Sequence, residues 1–168
     1  MKIYPTLEET LDCQDAFFEW CVAHDTKDWD RLRKCVAPTL RMDYGDVKND
    51  AFEVPSEQYV QTADVNHLVV TTQHLIGGVA KWEKTADEVK ATFQIRVAKV
   101  KWRDQKCVDE VAHANAHGVC TVPFRHLDGV WKVAGLKPHI VWVLGDPHVF
   151  FGDVEDMSDG LRNGEENK

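Results

Sequence analysis

The chain changes character near residue 67, from helical signals to long strand-forming segments, and this order constrains the fold more than any other feature. Between Glu8 and about His24 the apolar residues leave a mostly polar opposite face, which is typical of an amphipathic helix. After residue 67, four segments are rich in β-branched and apolar residues and alternate at least in part: 67–82, 89–103, 107–124 and 129–142. Helices followed by long antiparallel strands predict an α+β domain.

Local signals mark the element boundaries in the first third. Asp28 can cap a short helix that reaches residue 35, because its carboxylate can accept free amide hydrogens of the first turn. Pro38 is expected to mark the end of that helix, and residues 40–47 are expected to form a first strand. A third helix is expected to begin with Ser56 as its cap and to reach about residue 66.

Turn and bulge signals divide the second part of the chain. Gly77 and Gly78 interrupt a strand-forming run and predict a bulge or a sharp bend there. Residues 86–88 and 127–129 have the composition of hairpin turns.

Composition and charge limit what the chain can be. A length of 168 residues fits one domain, here expected over residues 1–158, which buries roughly two-thirds of its unfolded surface. The polar residues 159–168 are expected to form a flexible tail. The net charge of −8 argues against a nucleic-acid partner, which needs a basic face.

The sequence also bears on location and on metal binding. No apolar run approaches the roughly 18 residues of a membrane helix, and the start lacks the core of a signal peptide, so we expect a cytoplasmic protein without a membrane partner. The five cysteines are odd in number and lack C-x-x-C spacing, which favours reduced thiols over a disulfide framework or a zinc site.

Four segments of the chain resemble the scytalone dehydratase family: D-T-K-D-W-D-R-L-R-K at 25–34, A-P-T-L-R-M-D-Y at 37–44, T-Q-H-L-I-G-G at 72–78 and D-G-V-W-K-V-A-G-L-K-P at 128–138. That family includes a small fungal enzyme that removes water from a cyclic polyketide phenol during melanin synthesis. The resemblance implies a cone-shaped α+β barrel of the nuclear-transport-factor-2-like type, with N-terminal helices packed into a strongly bent antiparallel sheet. It also implies a homotrimer and a small-molecule site that uses no metal or organic cofactor.

The resemblance implies three catalytic residues at matching positions. His74 matches the family's catalytic histidine, and a neutral imidazole can take one proton and deliver another near pH 7. Tyr44 matches the tyrosine whose hydroxyl polarises the substrate carbonyl through a water, and Asp25 matches the pocket aspartate. Without the resemblance, His74 reads as a histidine satisfied by a backbone carbonyl, Tyr44 as a core anchor and Asp25 as a helix cap.

Other pocket positions depart from the family. His24 stands where the family has a second tyrosine, and Lys99 where it has a second catalytic histidine. Gly118 and Cys120 replace a serine and an asparagine that grip substrate oxygens, and they lie two apart on one strand face. We therefore expect a roomier, less polar pocket with an Asp25–Lys99 pair, unless Lys99 faces solvent.

Two further groups complete the candidate site. Phe150 and Phe151 are expected to form part of a C-terminal flap over the cavity mouth, as a C-terminal segment does in the family, or else simply to pack the last helix. His113 and His117 share one strand face opposite Gly118, but the spacing suggests no third ligand, so they are interpreted as exposed histidines and not as a metal site.

Three functional hypotheses remain open. The first is a cofactor-free lyase that dehydrates a hydroxylated aromatic polyketide or a related fungal secondary metabolite. The second keeps the pocket but changes the reaction to decarboxylation, cyclisation or rearrangement. The third is a non-catalytic small-molecule-binding protein on the same scaffold.

Overall fold

The structure is a computed structural model that describes residues 3–45 and 51–150. In these ranges the helices are α1 (Leu7–Thr26), α2 (Trp29–Cys35) and α3 (Ser56–Asn66). The strands are β1 (Val36–Met42), β2 (Phe52–Pro55), β3 (Val70–Lys84), β4 (Val89–Trp102), β5 (Glu110–Leu127) and β6 (Val130–Gly145). The tail expected over 159–168 lies outside the described residues.

Side-chain caps fix where the first two helices begin. At the start of α1 the Glu9 amide donates to Thr6 Oγ1 at 3.2 Å, and the Thr6 amide donates to Glu9 Oε2 at 2.8 Å, which is a complete capping box. The helix ends at Lys27, whose φ of 57° is left-handed. Asp28 then caps α2 by accepting the Arg31 amide at 3.0 Å, so the predicted cap is confirmed.

The boundary predictions in the first third are confirmed only in part. Helix α2 ends at residue 35 as predicted. The chain then passes directly into β1 at residue 36 and not at residue 40, so Pro38 lies inside a strand with its side chain exposed. Ser56 is the first residue of α3, and Pro55 stands at the cap position without a side-chain hydrogen bond. Strand β2 was not predicted at all, and part of the strand expected over 40–47 lies outside the described residues.

The six strands form one sheet in the order β2-β1-β6-β5-β4-β3. The α+β prediction is confirmed, with one correction: β1 runs parallel to β6, and the remaining neighbours are antiparallel. Because β2 and β3 are both edges, the curved sheet does not close into a barrel. A register shift between Ile76 and Ala80 confirms the predicted bulge at the glycine pair.

Helix α1 lies across the concave side of the sheet and contacts both β3 and β6. Its buried side chains meet inward-facing residues of the strands in one core, for example Phe17 against Phe93 at 5.0 Å between ring centroids. Within the described residues, no helix has the length and apolar character needed to cross a membrane.

Candidate active site

A cavity of about 450 Å³ lies between the helices and the concave face of the sheet. From α1 it is lined by Phe17, Trp20, Cys21 and His24, whose spacing of three and four residues places them on one helix face. From β3 it is lined by the alternate residues Thr72, His74 and Ile76, which a strand directs to one side of the sheet, and also by Leu75. The cavity wall is thus mostly apolar, with a few polar groups in fixed positions.

Asp25 and His74 form a hydrogen-bonded pair at the edge of this cavity. Asp25 lies in the last turn of α1, where its Oδ1 is 2.7 Å from His74 Nδ1 and its Oδ2 accepts the His74 backbone amide at 2.9 Å. Thr72 Oγ1 also donates to Asp25 Oδ1 at 2.9 Å. One carboxylate therefore fixes both the backbone and the ring of the histidine.

The contacts of this pair define its protonation. Burial raises the pKa of the Asp25 carboxyl, but the hydrogen bonds from His74 and Thr72 outweigh burial and hold the pKa below its ordinary value. Because an ionised carboxylate only accepts, His74 Nδ1 carries the ring proton and Nε2 is the basic nitrogen. The His74 side chain is 13% exposed and lines the cavity, so Nε2 is the atom that can serve a substrate.

The carboxylate that we expected to pair with Lys99 pairs with His74 instead. Lys99 still lines the cavity, from β4, and its Nζ lies 5.1 Å from the centroid of the Phe150 ring. Phe150 lines the cavity as well, whereas Phe151 lies outside the described residues.

Tyr44 and Cys120 both line the cavity. Burial raises the pKa of Tyr44 well above its ordinary value, with a smaller contribution from Cys120, so the phenol stays protonated at pH 7 and can donate a hydrogen bond. Burial likewise raises the pKa of Cys120 to about 12, so this thiol is not ionised near neutrality and is a poor nucleophile.

Gly118 does not line the cavity as we expected. A Cβ at this position would fall inside van der Waals contact of the His139 carbonyl oxygen and about 3.0 Å from Ile140 Cα. The close approach follows from a bulge in β6: Gly118 pairs with Ile140 while the preceding His117 pairs with Trp142, which leaves Val141 as an extra residue. The missing side chain is therefore required by backbone packing and does not by itself enlarge the cavity.

His24 is buried, and both of its ring nitrogens form hydrogen bonds within the protein. Its Nδ1 donates to the Trp20 carbonyl at 2.9 Å, so its Nε2 accepts from the Tyr59 hydroxyl at 3.2 Å. Burial lowers the pKa of His24 well below its ordinary value, and the neighbouring His74 adds to this effect. A neutral ring with both nitrogens engaged cannot exchange protons with a substrate, so His24 positions Tyr59.

The sequence interpretation missed Tyr59 and His67, which line the cavity from α3 and just after it. His67 Nδ1 donates to the Ala63 carbonyl at 2.8 Å, and burial lowers the pKa of His67 to about 4. The signal was present in the sequence, since residues 59, 63 and 67 are four apart and share one helix face.

The remaining histidines lie outside the cavity. His113 Nδ1 is 2.6 Å from Glu110 Oε1, and both side chains are about half exposed. His117 stacks on Trp142 with ring centroids 3.6 Å apart. Among the residues that the structure describes, no group of three or more His, Cys, Asp or Glu side chains could hold a metal ion.

Comparison with known proteins decides the family. The sequence model described as scytalone dehydratase matches residues 5–157. The chain belongs to the scytalone dehydratase family. It is 37% identical over 162 residues to a scytalone dehydratase-like protein, AacuK, of Aspergillus aculeatus, covering 92% of each chain. It is 38% identical over 157 residues to a scytalone dehydratase of Colletotrichum orbiculare, covering 90% of this chain and 83% of that one.

Solved structures agree on the fold. A protein of Kribbella flavida, Kfla4162, matches with a TM-score of 0.67 at 17% identity, over 83% of this chain and 95% of that one. The hexachlorocyclohexane dehydrochlorinase LinA-type3 of Novosphingobium barchaimii matches with a TM-score of 0.61 at 14% identity, over 83% and 91%. At these identities the likeness shows only that this scytalone dehydratase family member has the nuclear-transport-factor-2-like fold.

Proposed function

We propose that the chain is a lyase that eliminates water from a hydroxylated aromatic polyketide or a related fungal secondary metabolite, by acid–base chemistry of its own side chains. The observation that supports this most directly is the Asp25–His74 pair at 2.7 Å, with the imidazole on the wall of a mostly apolar cavity. Membership of the scytalone dehydratase family supports the same class of reaction.

The proposed reaction begins with proton removal by His74. Nε2 takes the proton from a carbon next to the substrate carbonyl, and the electrons of the broken C–H bond form an enolate. Asp25 stabilises the resulting imidazolium because its carboxylate lies against Nδ1. Tyr44 donates a hydrogen bond toward the developing enolate oxygen, directly or through a water, which is often the largest single catalytic effect.

Elimination then completes the cycle. The enolate collapses to a carbon–carbon double bond as the β-hydroxyl leaves, and the imidazolium returns its proton to that hydroxyl to form water. The enzyme ends in its starting protonation state, so the sequence of steps balances. The apolar wall favours this chemistry because a low dielectric strengthens the electrostatic contacts inside the cavity.

A second candidate keeps the cavity and changes the reaction to decarboxylation, cyclisation or rearrangement. It is favoured by Lys99, a cation on the cavity wall that can hold a carboxylate or an enolate. A non-catalytic binding role is the third candidate. It predicts that the wild type converts no ligand and that substitutions in the pocket change only the affinity for the ligand.

The test compares two histidine–carboxylate pairs of nearly equal geometry in different places. His74→Asn keeps a donor near Asp25 but removes the basic nitrogen, and His113→Asn changes the exposed pair with Glu110. Each variant is incubated with scytalone and a panel of hydroxylated bicyclic ketones, and mass spectrometry follows the loss of one water. We expect His74→Asn to reduce turnover by roughly 100-fold or more and His113→Asn to leave it unchanged.

Folding is controlled by comparing the melting temperatures of both variants with the wild type. Turnover by a folded His74→Asn protein at the wild-type rate would refute the proposal. Conversion of a panel member with loss of carbon dioxide, or without loss of mass, would favour the second candidate. Tight binding of the panel with no product from the wild type would favour the third.

A further inference from the structure

His67 brings a further imidazole to the wall of the cavity, directly after the end of α3. Its Nδ1 lies 2.8 Å from the Ala63 carbonyl oxygen, and because a carbonyl only accepts, Nδ1 carries the ring proton. The backbone amide of His67 donates to the same carbonyl at 3.0 Å. The ring therefore has one tautomer, in which Nε2 is the bare nitrogen with a free lone pair.

Nε2 of His67 is open to the cavity. It forms no hydrogen bond within the part of the chain that the structure describes. Among the buried side-chain nitrogen and oxygen atoms of that part, only Trp20 Nε1 is both inaccessible and without a hydrogen bond. Nε2 is therefore accessible, and since His67 is only 9% exposed and lines the cavity, the accessible side is the cavity side. An acceptor in such a place is satisfied by a donor from the molecule that fills the cavity.

His67 and His74 differ in the group that holds the ring. His74 Nδ1 donates to the Asp25 carboxylate, whereas His67 Nδ1 donates to a neutral carbonyl. A carboxylate stabilises an imidazolium far more than a carbonyl does. Burial lowers the pKa of His67 to about 4, so this ring is neutral at pH 7 and is a poor base. His67 is thus suited to accept a hydrogen bond, and proton transfer is left to His74.

The surroundings of His67 favour a neutral aromatic donor. Its ring centroid lies 5.5 Å from that of His24 and 5.6 Å from that of Trp29, and the cavity wall is mostly apolar. The described residues that line the cavity include no carboxylate, so an ammonium donor would lose its hydration without gaining a counter-charge on this wall. A phenol, with a pKa of about 10, is a stronger acid than an alcohol, and its ring can pack against aromatic side chains.

We propose that His67 determines specificity, because its Nε2 accepts a hydrogen bond from a phenolic hydroxyl of the ligand. The ligand then spans the cavity, with its phenol at the end of α3 and its reacting ketone at His74 on β3. This inference rests on the proposed function only in that the cavity is the ligand site, since accepting a hydrogen bond involves no turnover. An analogue without the hydroxyl leaves Nε2 unpaired and binds less tightly.

Binding of aromatic ketones that differ in one hydroxyl tests this. The probes are 1-tetralone and its 5-, 6- and 7-hydroxy derivatives, and their Kd values are measured by calorimetry on the full chain at pH 7. We expect at least one hydroxy compound to bind the wild type roughly 2- to 10-fold more tightly than 1-tetralone. His67→Asn should abolish this preference, because its amide can still donate to Ala63 but nothing replaces Nε2. His67→Gln, whose longer side chain can place an amide oxygen near the position of Nε2, should retain part of it.

The matched control is His74→Asn, which makes the same change at another imidazole of the cavity. It should keep the hydroxyl preference although the catalytic proposal expects it to lose turnover, so the two proposals fail separately. Melting temperatures establish that each variant is folded, and His67→Phe takes the place of His67→Asn if the latter does not fold. Equal affinity of the wild type for all four probes, a preference that survives the loss of Nε2, or a preference that is lost in His74→Asn would each overturn the inference.

Discussion

Replacing Gly118 by alanine tests a close backbone contact beside the candidate site. The new Cβ would fall inside contact distance of the His139 carbonyl oxygen and about 3.0 Å from both the His139 carbonyl carbon and Ile140 Cα. All three atoms belong to the backbone of β6, so no rotamer change can relieve the overlap. The strand has to move, and with it the ladder between β5 and β6 on the cavity wall.

The size of the effect follows from that constraint. Overpacking a well-packed site costs about 1–3 kcal/mol, and a contact with backbone on one side belongs at the upper end of this range. For a chain of this length, 1 kcal/mol shifts Tm by about 2–4 °C. We therefore expect Gly118→Ala to lower Tm by roughly 6–12 °C.

Two other glycines calibrate the measurement. A Cβ at Gly78 meets nothing within 4 Å, whereas a Cβ at Gly77 would lie 3.1 Å from the Gln94 carbonyl oxygen. Gly78→Ala should be neutral or stabilise by about 0.4–1 kcal/mol, because alanine has less freedom to lose on folding. Thermal melts followed by circular dichroism should therefore rank Gly78→Ala highest, Gly77→Ala next and Gly118→Ala lowest. A Gly118→Ala protein as stable as Gly78→Ala would refute the close approach of β6 and restore the possibility of a wider cavity at this wall.

Two predictions concern stability against pH. Burial lowers the pKa of His67 from its ordinary 6.5 to about 4, so the unfolded chain binds the proton more readily, and stability is lost as pH falls from about 6.5 to 4. This difference in the pKa of His67 corresponds to about 3 kcal/mol of unfolding free energy. Urea melts at pH 7 and pH 4.5 should therefore show a smaller loss of unfolding free energy for His67→Gln than for the wild type. Equal losses in the two proteins would contradict a lowered pKa of His67. The pKa of Asp25 is lowered instead from an ordinary 3.8, so its contribution is present above that pH and disappears as the pH falls further. Asp25→Asn should be less stable than the wild type at pH 7, and the gap should narrow below pH 4; a gap that is independent of pH would show that the charge is not involved.

Features set by neighbours in the sequence were the ones that could be predicted. Asp28 caps α2, and the glycine pair marks the bulge of β3, because both effects act within a few residues. Asp128 and Gly129 form the expected turn between β5 and β6, with φ of 52° and 82°. Each of these depends on the local backbone, which the residue type itself restricts.

Features set by distant segments were not predictable in the same way. The parallel pairing of β1 with β6 joins segments about a hundred residues apart, and nothing in either strand specifies its direction. The partner of Asp25 depends on the register of β3 relative to the end of α1, because a shift of one residue would place His74 on the other face of the sheet. Gly118 illustrates a different error. Comparison with the family's serine suggested that a side chain had been lost from the cavity wall, whereas the bulge at Val141 leaves no room for a side chain at this position.

The two histidine–carboxylate pairs of this chain show why distance alone does not define a site. His74 lies 2.7 Å from Asp25 and His113 lies 2.6 Å from Glu110, so the two contacts are nearly equal in length. The second pair has side chains 58% and 48% exposed, and water screens its charges and leaves both side chains mobile. The first pair is 13% and 20% exposed, and its carboxylate is held by three donors, so the imidazole keeps one tautomer and one orientation. A proton shuttle needs a basic nitrogen whose direction does not vary between turnovers. Burial at the junction of α1 and β3 fixes that direction for His74, whereas the exposed His113 has no such constraint.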